Sequence, residues 1–483
     1  MNNFVINTYC FTMLEDKSDN QDVLNKVALF EDMLNQNSFT FFDVDDFEII
    51  IDYYLSVDFK SKAHEALKMG LTQYPNDIAL ILLKVDWLNS NQKFKKSFQL
   101  LKDIEYLFPN NVDVILSIGK LASVLDFPLV AEGYIDQAFS LVRNENESKE
   151  ILSDIAYEYL QMGLHIKAVH AMKEILLLDP NNETTLLEIG VAFHESNQLE
   201  ESITFFNDII DENPYSYLAW FNLGTVYNAK EMWKDAMFSF DMCLVINEKF
   251  TAAHYGKASS YIQLKEYQNA IDTFNESFQF DHPHSFAYCS IGECYEKLGD
   301  FPKAIMFYEK SLEIDDSQSD AWIGIGVVRD LVNEPLEAKK FMNKALKLEP
   351  DNAEYWYIYA ELLTKIGLKE EAEMAFKKVV ELDPKNIDAW IDYSNFLFDN
   401  DAKNKAIDEV QRAIKKNKDQ QDLHLRLVAM QIAEGNLTDA KTNLVSLQNN
   451  AKISCEQLFE IYPEAKNIPE ISIVIELFNN KKS

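Results

Sequence analysis

Large apolar residues recur along this chain at i, i+3, i+4 and i+7, in segments of about three to four turns that come in pairs split by a short polar break. Two such segments so closely joined predict antiparallel helices lying about 8 to 10 Å apart. The pairs themselves repeat. Ala236, Ala270, Ala304, Ala338, Ala372, Ala406 and Ala440 follow one another at intervals of 34 residues. Pro180, Pro350 and Pro384 share one phase of the same frame, and Pro75, Pro109 and Pro214 join it across one short insertion. Trp220, Trp322, Trp356 and Trp390 fall in a single column with His254 and Tyr288. With that column as position 4, twelve units run from about Val44 to about Ser454.

Packing accounts for the columns. Position 8 is small in Gly119, Ala156, Gly190, Gly224, Ala258, Gly292, Gly326, Ala360 and Ser394, and position 20 holds the alanines, because helices approach closely only where side chains are small. Large residues at positions 4, 7, 11 and 24 fill the space beside that contact. The turn position 15 is Gly163, Asn197, Gly299, Asn333, Gly367 or Gly435 in half the units, residues that tolerate φ > 0. Pro128, Pro302 and Pro335 follow it, at the start of the second helix where a missing N–H costs little. Proline followed by Asn or Asp, as in "FPNN" and "YPND", closes a unit and offers a cap to the next. The frame slips once, by the 37-residue interval from Ala131 to Ala168, with the excess in "RNENESKE" at 143–150, a longer loop and candidate hinge. The expected organisation is an N-terminal extension with the capping helix "DVLNKVALFEDML" over 1–43, units one to three over 44–148, units four to twelve over 149–454, and closing helices over 455–483.

The segment "WFNLGTVY" at 220–227 completes the pattern W-x-x-L-G-x-x-Y, and Ala236 and Phe240 then occupy A-x-x-x-F. The chain thereby resembles the tetratricopeptide repeat (TPR) family over most of its length, departing in that unit only at the closing proline, where Glu248 stands. The resemblance implies an all-α, right-handed superhelical solenoid that binds proteins.

Composition narrows the partners. Of 483 residues 47% are hydrophobic and the net charge is -34, which together predict a folded, very soluble chain. Such acidity argues against a nucleic-acid binder and against anionic membrane surfaces. The five cysteines, Cys10, Cys243, Cys289, Cys294 and Cys455, are dispersed and include no C-x-x-C pair, so a reducing compartment fits best. The start lacks a signal-like basic and apolar region, and no later run approaches 18 uncharged apolar residues. The expectation is a cytoplasmic protein without membrane insertion.

Candidate chemistry dissolves on inspection. "HESNQ" at 194–198 places Gln198 where a zinc protease needs its second histidine, and "DHPH" offers only His282 and His284 in a loop. "YGKASSY" lacks the P-loop hydroxyl after Lys257. "AWIGIGVVRD" at 321–330 has two glycines of a dinucleotide fingerprint but Arg329 at the third. In the repeat frame it is a helix, whose committed amides cannot cradle phosphate. Gly326 then becomes a helix contact and Gly324 an inward position whose missing side chain leaves room. No catalytic residue, cofactor or metal ligand is assigned.

The resemblance further implies that first helices line a concave groove through positions 2, 5, 6, 9, 12 and 13. Those positions carry 19 acidic residues and four basic ones, Lys120, Lys297, Lys365 and Arg426. Aromatic Tyr157, Phe221, Tyr255, Phe286, Tyr357 and Phe398 interleave there with Glu188, Glu195, Glu293, Glu296, Asp330, Glu361 and Asp392, alongside Asn222. Such a surface suits a protein or peptide segment with basic and apolar residues. No unit has lysine at position 5, so the clamp by which some TPR proteins grip chaperone carboxylates is absent. The expected function is a non-enzymatic interaction scaffold, with a peptide receptor that changes conformation on binding as the alternative.

Overall fold

The computed structural model describes residues 17–36, 40–142, 149–418, 420–448 and 457–482. Among these the chain forms α-helices, one 3₁₀ segment and no strand. Twenty-four helices, from Val44–Ser56 to Leu437–Gln448, make twelve pairs. Every first helix starts at position 1 of the 34-residue frame and runs for thirteen residues, so the periodicity fixed the element boundaries as well as their type.

The turns show why. Position 15 has positive φ in all twelve pairs, in Gly163, Gly299, Gly367 and Gly435 and also in Asp58, Gln92, Asp126, Asn197, Glu231, Lys265, Asn333 and Asp401. The left-handed turn is thus imposed by the pair geometry, and half of the units carry it on residues that pay a steric cost. At position 34, Asp77, Asn111, Asn182, Asn352 and Asn386 accept hydrogen bonds from the backbone N–H three residues on, at 2.9–3.2 Å. These are the N-caps expected of the Pro-Asn/Asp closures.

The tryptophan column is polar as well as large. The indole N–H of Trp220, Trp322, Trp356 and Trp390 donates to the carbonyl six residues earlier, at 3.0, 2.9, 2.8 and 3.1 Å. His254 and His424 reach the equivalent carbonyls of Glu248 and Lys418 through Nε2. In these six repeats position 4 therefore ties the first helix to the turn before it, which explains why histidine substitutes for tryptophan there.

At position 20 the alanines are joined by Ser97 and Ser202, and all twelve residues are completely buried. Position 24 fills the space that small residues leave. A Cβ on Gly119 would stand 2.9 Å from Ile135 and one on Gly326 would stand 2.6 Å from Met342, each within one pair. The same column also reaches forward. Tyr308 lies against Gly292 of its own repeat and Gly324 of the next, where a Cβ would meet its ring at 2.7 and 2.3 Å, and Phe240 lies 2.4 Å from such an atom on Gly256. The expectation that Gly324 opens room is corrected here: the space belongs to the Tyr308 ring, and Gly324 is buried.

The chain forms two compact units, one ending at Lys230 and the other beginning at Glu231. Each is an α-solenoid of stacked helix pairs. In the first, the helix Lys17–Gln36 packs Val27, Phe30 and Met33 onto Phe47, Ile50 and Tyr54 of the first pair. In the second, Leu458, Ala465, Ile471 and Ile475 join Leu425, Val428 and Leu444 of the last pair in one core. Residues 143–148, the greater part of the candidate hinge, lie outside the described residues.

Candidate functional site

Contacts that step from one first helix to the next define a face in each unit. In the first, Lys120 at position 9 pairs with Asp154 at position 6 of the following repeat, 2.7 Å apart. In the second, Tyr357 at position 5 donates to Asp392 at position 6 of the next repeat at 2.5 Å, and Lys365 pairs with Asp330 at 2.7 Å. The inward positions inferred from the frame thus adjoin one another across repeats.

Of the expected site residues, Tyr157, Glu188, Glu195, Phe286, Glu293 and Glu361 are exposed. Phe221, Tyr255, Asp330, Tyr357, Asp392 and Phe398 are half-buried. Tyr255 and Phe286 come together, their ring centroids 6.5 Å apart. The side chain of Glu296 is nearly enclosed, accepting from Tyr308 Oη at 2.9 Å and pairing with Lys297 at 3.2 Å. Asn222 is not presented to a partner. It is 4% exposed, fills the space above Gly190, and donates through Nδ2 to the Leu186 carbonyl at 2.6 Å. The glycine exposes that carbonyl, and the asparagine serves as a bolt between two first helices.

Electrostatics distinguish the cations from the carboxylates on the two faces. Lys120, Lys297 and Lys365 are each taken up by a neighbouring carboxylate, and Arg426 lies in the field of Asp392, Asp399 and Asp422. Several of the remaining carboxyls are desolvated. Desolvation, with Asp86 nearby, pushes the Asp52 carboxyl up to about 6. Asp86, Glu188, Glu293 and Glu361 are also raised, chiefly by desolvation. Asp52 and Asp86 keep access to solvent, so the desolvation comes from a wall of protein beside them and not from enclosure.

Two further apolar residues stand at inward positions without having been singled out by the sequence pattern. Leu187 and Val191, at positions 5 and 9 of repeat five, are 40% and 63% exposed, and Tyr157, at position 9 of repeat four, is 55% exposed. Their signal in the sequence is an aliphatic residue at a position where the frame expects a polar or aromatic one. Among the described residues no group of three or more His, Cys, Asp or Glu could hold a metal ion, and Cys243, Cys289 and Cys294 are free and buried. No described helix is long and apolar enough to cross a membrane.

Tetratricopeptide repeat models match residues 285–318 and 251–281. A model of the PRP39 N-terminal HAT repeat matches residues 307–426, and one of the ChAPs (Chs5p-Arf1p-binding proteins) matches residues 91–259. No curated protein matches the chain. Similar solved structures include the APC/C hetero-tetramer Cut9-Hcn1, with 15% identity and a TM-score of 0.44 over 87% of this chain and 96% of that one. A tetratricopeptide repeat protein from Parabacteroides merdae ATCC 43184 has 16% identity and a TM-score of 0.43 over 52% and 99%. The thermophilic protein TTC0263 from Thermus thermophilus has 22% identity and a TM-score of 0.34 over 38% and 99%. With two matched repeats in frame with twelve helix pairs of one design, the chain belongs to the tetratricopeptide repeat family.

Proposed function

We propose that this protein is a non-enzymatic cytoplasmic scaffold whose first-helix faces, one in each compact unit, hold partner segments that combine Lys or Arg with apolar anchors. One observation carries the reading: each cation on those faces is matched by neighbouring carboxylates, while Asp52, Asp86, Glu188, Glu293 and Glu361 have their charged forms disfavoured chiefly by desolvation. A basic ligand offsets this penalty, and exposed Tyr157, Leu187 and Val191 offer an apolar footing. The match of residues 91–259 to proteins described as binding Chs5p and Arf1p agrees with a protein ligand.

Fluorescence anisotropy with paired peptides tests this, one carrying Lys and Arg around Leu and Phe, the other Asp and Glu in their place. The basic peptide should bind more tightly and lose affinity as salt rises. Glu188→Gln, Glu293→Gln and Glu361→Gln should each weaken it by about twofold to fivefold, the scale of one exposed charge pair. Equal or tighter binding of the acidic peptide to these faces would overturn the reading.

A further inference from the structure

On the second helices of the second unit, one column of positions carries the opposite charge. Position 26, on the second helix of each repeat, reads Met69, Asp103, Gln137, Glu174, Asp208, Met242 and Glu276 through the first seven repeats. It then changes sign and is Lys310, Lys344, Lys378 and Arg412 in four successive repeats. The change separates the two layers of helices in the ninth and eleventh repeats, whereas the second helices of the eighth and tenth, Phe301–Ile314 and Lys369–Leu382, hold at least as many acidic residues as basic ones. In repeats nine and eleven the second helices Pro335–Leu348 and Lys403–Lys416 hold four and five basic residues against one and two acidic ones. The first helices Ser319–Leu331 and Ile387–Asp399 of the same repeats hold one and no basic residue against two and three acidic ones.

The cations of this column are positioned by rings. Lys344 Nζ lies 3.9 Å from the centroid of Trp322, Lys310 Nζ 5.5 Å from that of Tyr288 and Arg412 Cζ 5.8 Å from that of Trp390, in each case the position-4 ring of the same repeat. A π-face holds a cation in place without neutralising it, unlike a carboxylate. Lys378 pairs instead with exposed Asp351 at 3.4 Å, a surface pair that exchanges readily for a better anion. Arg412 also pairs with Glu409 at 2.7 Å, and that carboxylate is largely buried.

We propose that Lys310, Lys344, Lys378 and Arg412 form a ladder that binds an extended acidic segment of a protein partner. The rungs sit on successive second helices, which pack against the first helix between them and not directly on one another, so they stand at least as far apart as the about 8 to 10 Å of packed neighbours. An extended chain advances about 3.3 Å per residue, so carboxylates set three or more residues apart reach successive rungs and a block of adjacent ones does not. A nucleic acid fits less well. Its phosphates are closer together and more numerous, and they would run over Asp351, Glu381 and Glu409 beside the ladder, whereas widely spaced carboxylates avoid them. The chain's net charge of -34 does not forbid the contact, because at physiological salt a field decays within about 8 Å and the nearby lysines dominate.

The test uses the full chain and a fluorescein-labelled twelve-residue peptide with Glu at every third position between Ser and Gly, read by anisotropy at low salt. The spaced peptide should bind at least fivefold more tightly than one of the same composition with its four Glu in a block. Lys310→Glu combined with Lys344→Glu should abolish binding, and Lys310→Gln with Lys344→Gln, which removes charge without adding repulsion, should weaken it about tenfold. Circular dichroism should show both variants as helical as the parent. The basic peptide used for the first-helix faces should bind both unchanged, which separates this ladder from those sites. Absence of binding by the spaced peptide, indifference to spacing, or wild-type affinity in the Gln variant would each overturn the proposal. So would tighter binding of a single-stranded oligonucleotide of equal charge through the same lysines.

Discussion

At the scale of single residues, Tyr308 shows how one side chain serves two repeats. Its ring occupies the volume above Gly292 and Gly324, and its hydroxyl donates to Glu296, so burial and a carboxylate together hold the phenol in its neutral form. Gly324→Ala would place a methyl group inside that ring and should lower the local opening free energy by about 1 to 3 kcal/mol, the cost of overpacking. Native-state hydrogen exchange over Ser285–Lys297 and Ser319–Leu331 reads the effect. Adding Tyr308→Leu should recover part of the loss, and an unchanged exchange rate in the single variant would show the ring free to move aside. The free thiols have an equally local explanation: burial pushes Cys243 and Cys294 up to about 12, which suits packing roles and not reactive ones.

At the scale of the element, the helix pair and its turn were legible in the sequence because their causes are local. Glycine and asparagine at position 15, the Asn/Asp caps and the small residues at positions 8 and 20 each act within a few turns of chain. Contacts between repeats were not. Nothing within one unit reveals that Asn222 is committed to the Leu186 carbonyl, that Gly324 is claimed by Tyr308, or that a tryptophan N–H reaches back to the preceding turn. Of the candidate site, the excess of carboxylates was legible, and the contacts that commit individual side chains such as Asn222 and Glu296 were not, for the same reason. The turns also yield a prediction. Lys265 has φ of 62°, is exposed, and forms no ion pair among the described residues, so Lys265→Gly should stabilise its helix pair by about 0.5 to 1 kcal/mol, the relief of left-handed strain less the entropy that glycine loses. Slower hydrogen exchange across Thr251–Gln263 and Tyr267–Ser277 would register it.

At the scale of the whole molecule, acidity sets the response to solution conditions. Carboxyls raised in the folded state, led by Asp52 at about 6, bind more protons there than in the unfolded chain between about pH 4 and 6. Folding therefore gains stability as pH falls from 7 toward 5, and loses it again on rising through 6. Lower still, paired acids such as Glu31 and Glu349, held below the usual range by their hydrogen bonds, are protonated and stability declines. Thermal unfolding across pH 4 to 8 should peak near 5, and added salt at pH 7 should raise the midpoint by screening the net charge of -34. A midpoint that rises steadily to pH 8 would contradict this. The shared position-24 rings have a last consequence, for modularity. Excising residues 251–284 would leave the helices and the 34-residue frame intact, but it would bring Phe240 against Ser290 in place of Gly256. The repeats are thus keyed to their neighbours, and the natural unit for shortening or recombining this protein runs from the ring of one repeat to the glycine of the next.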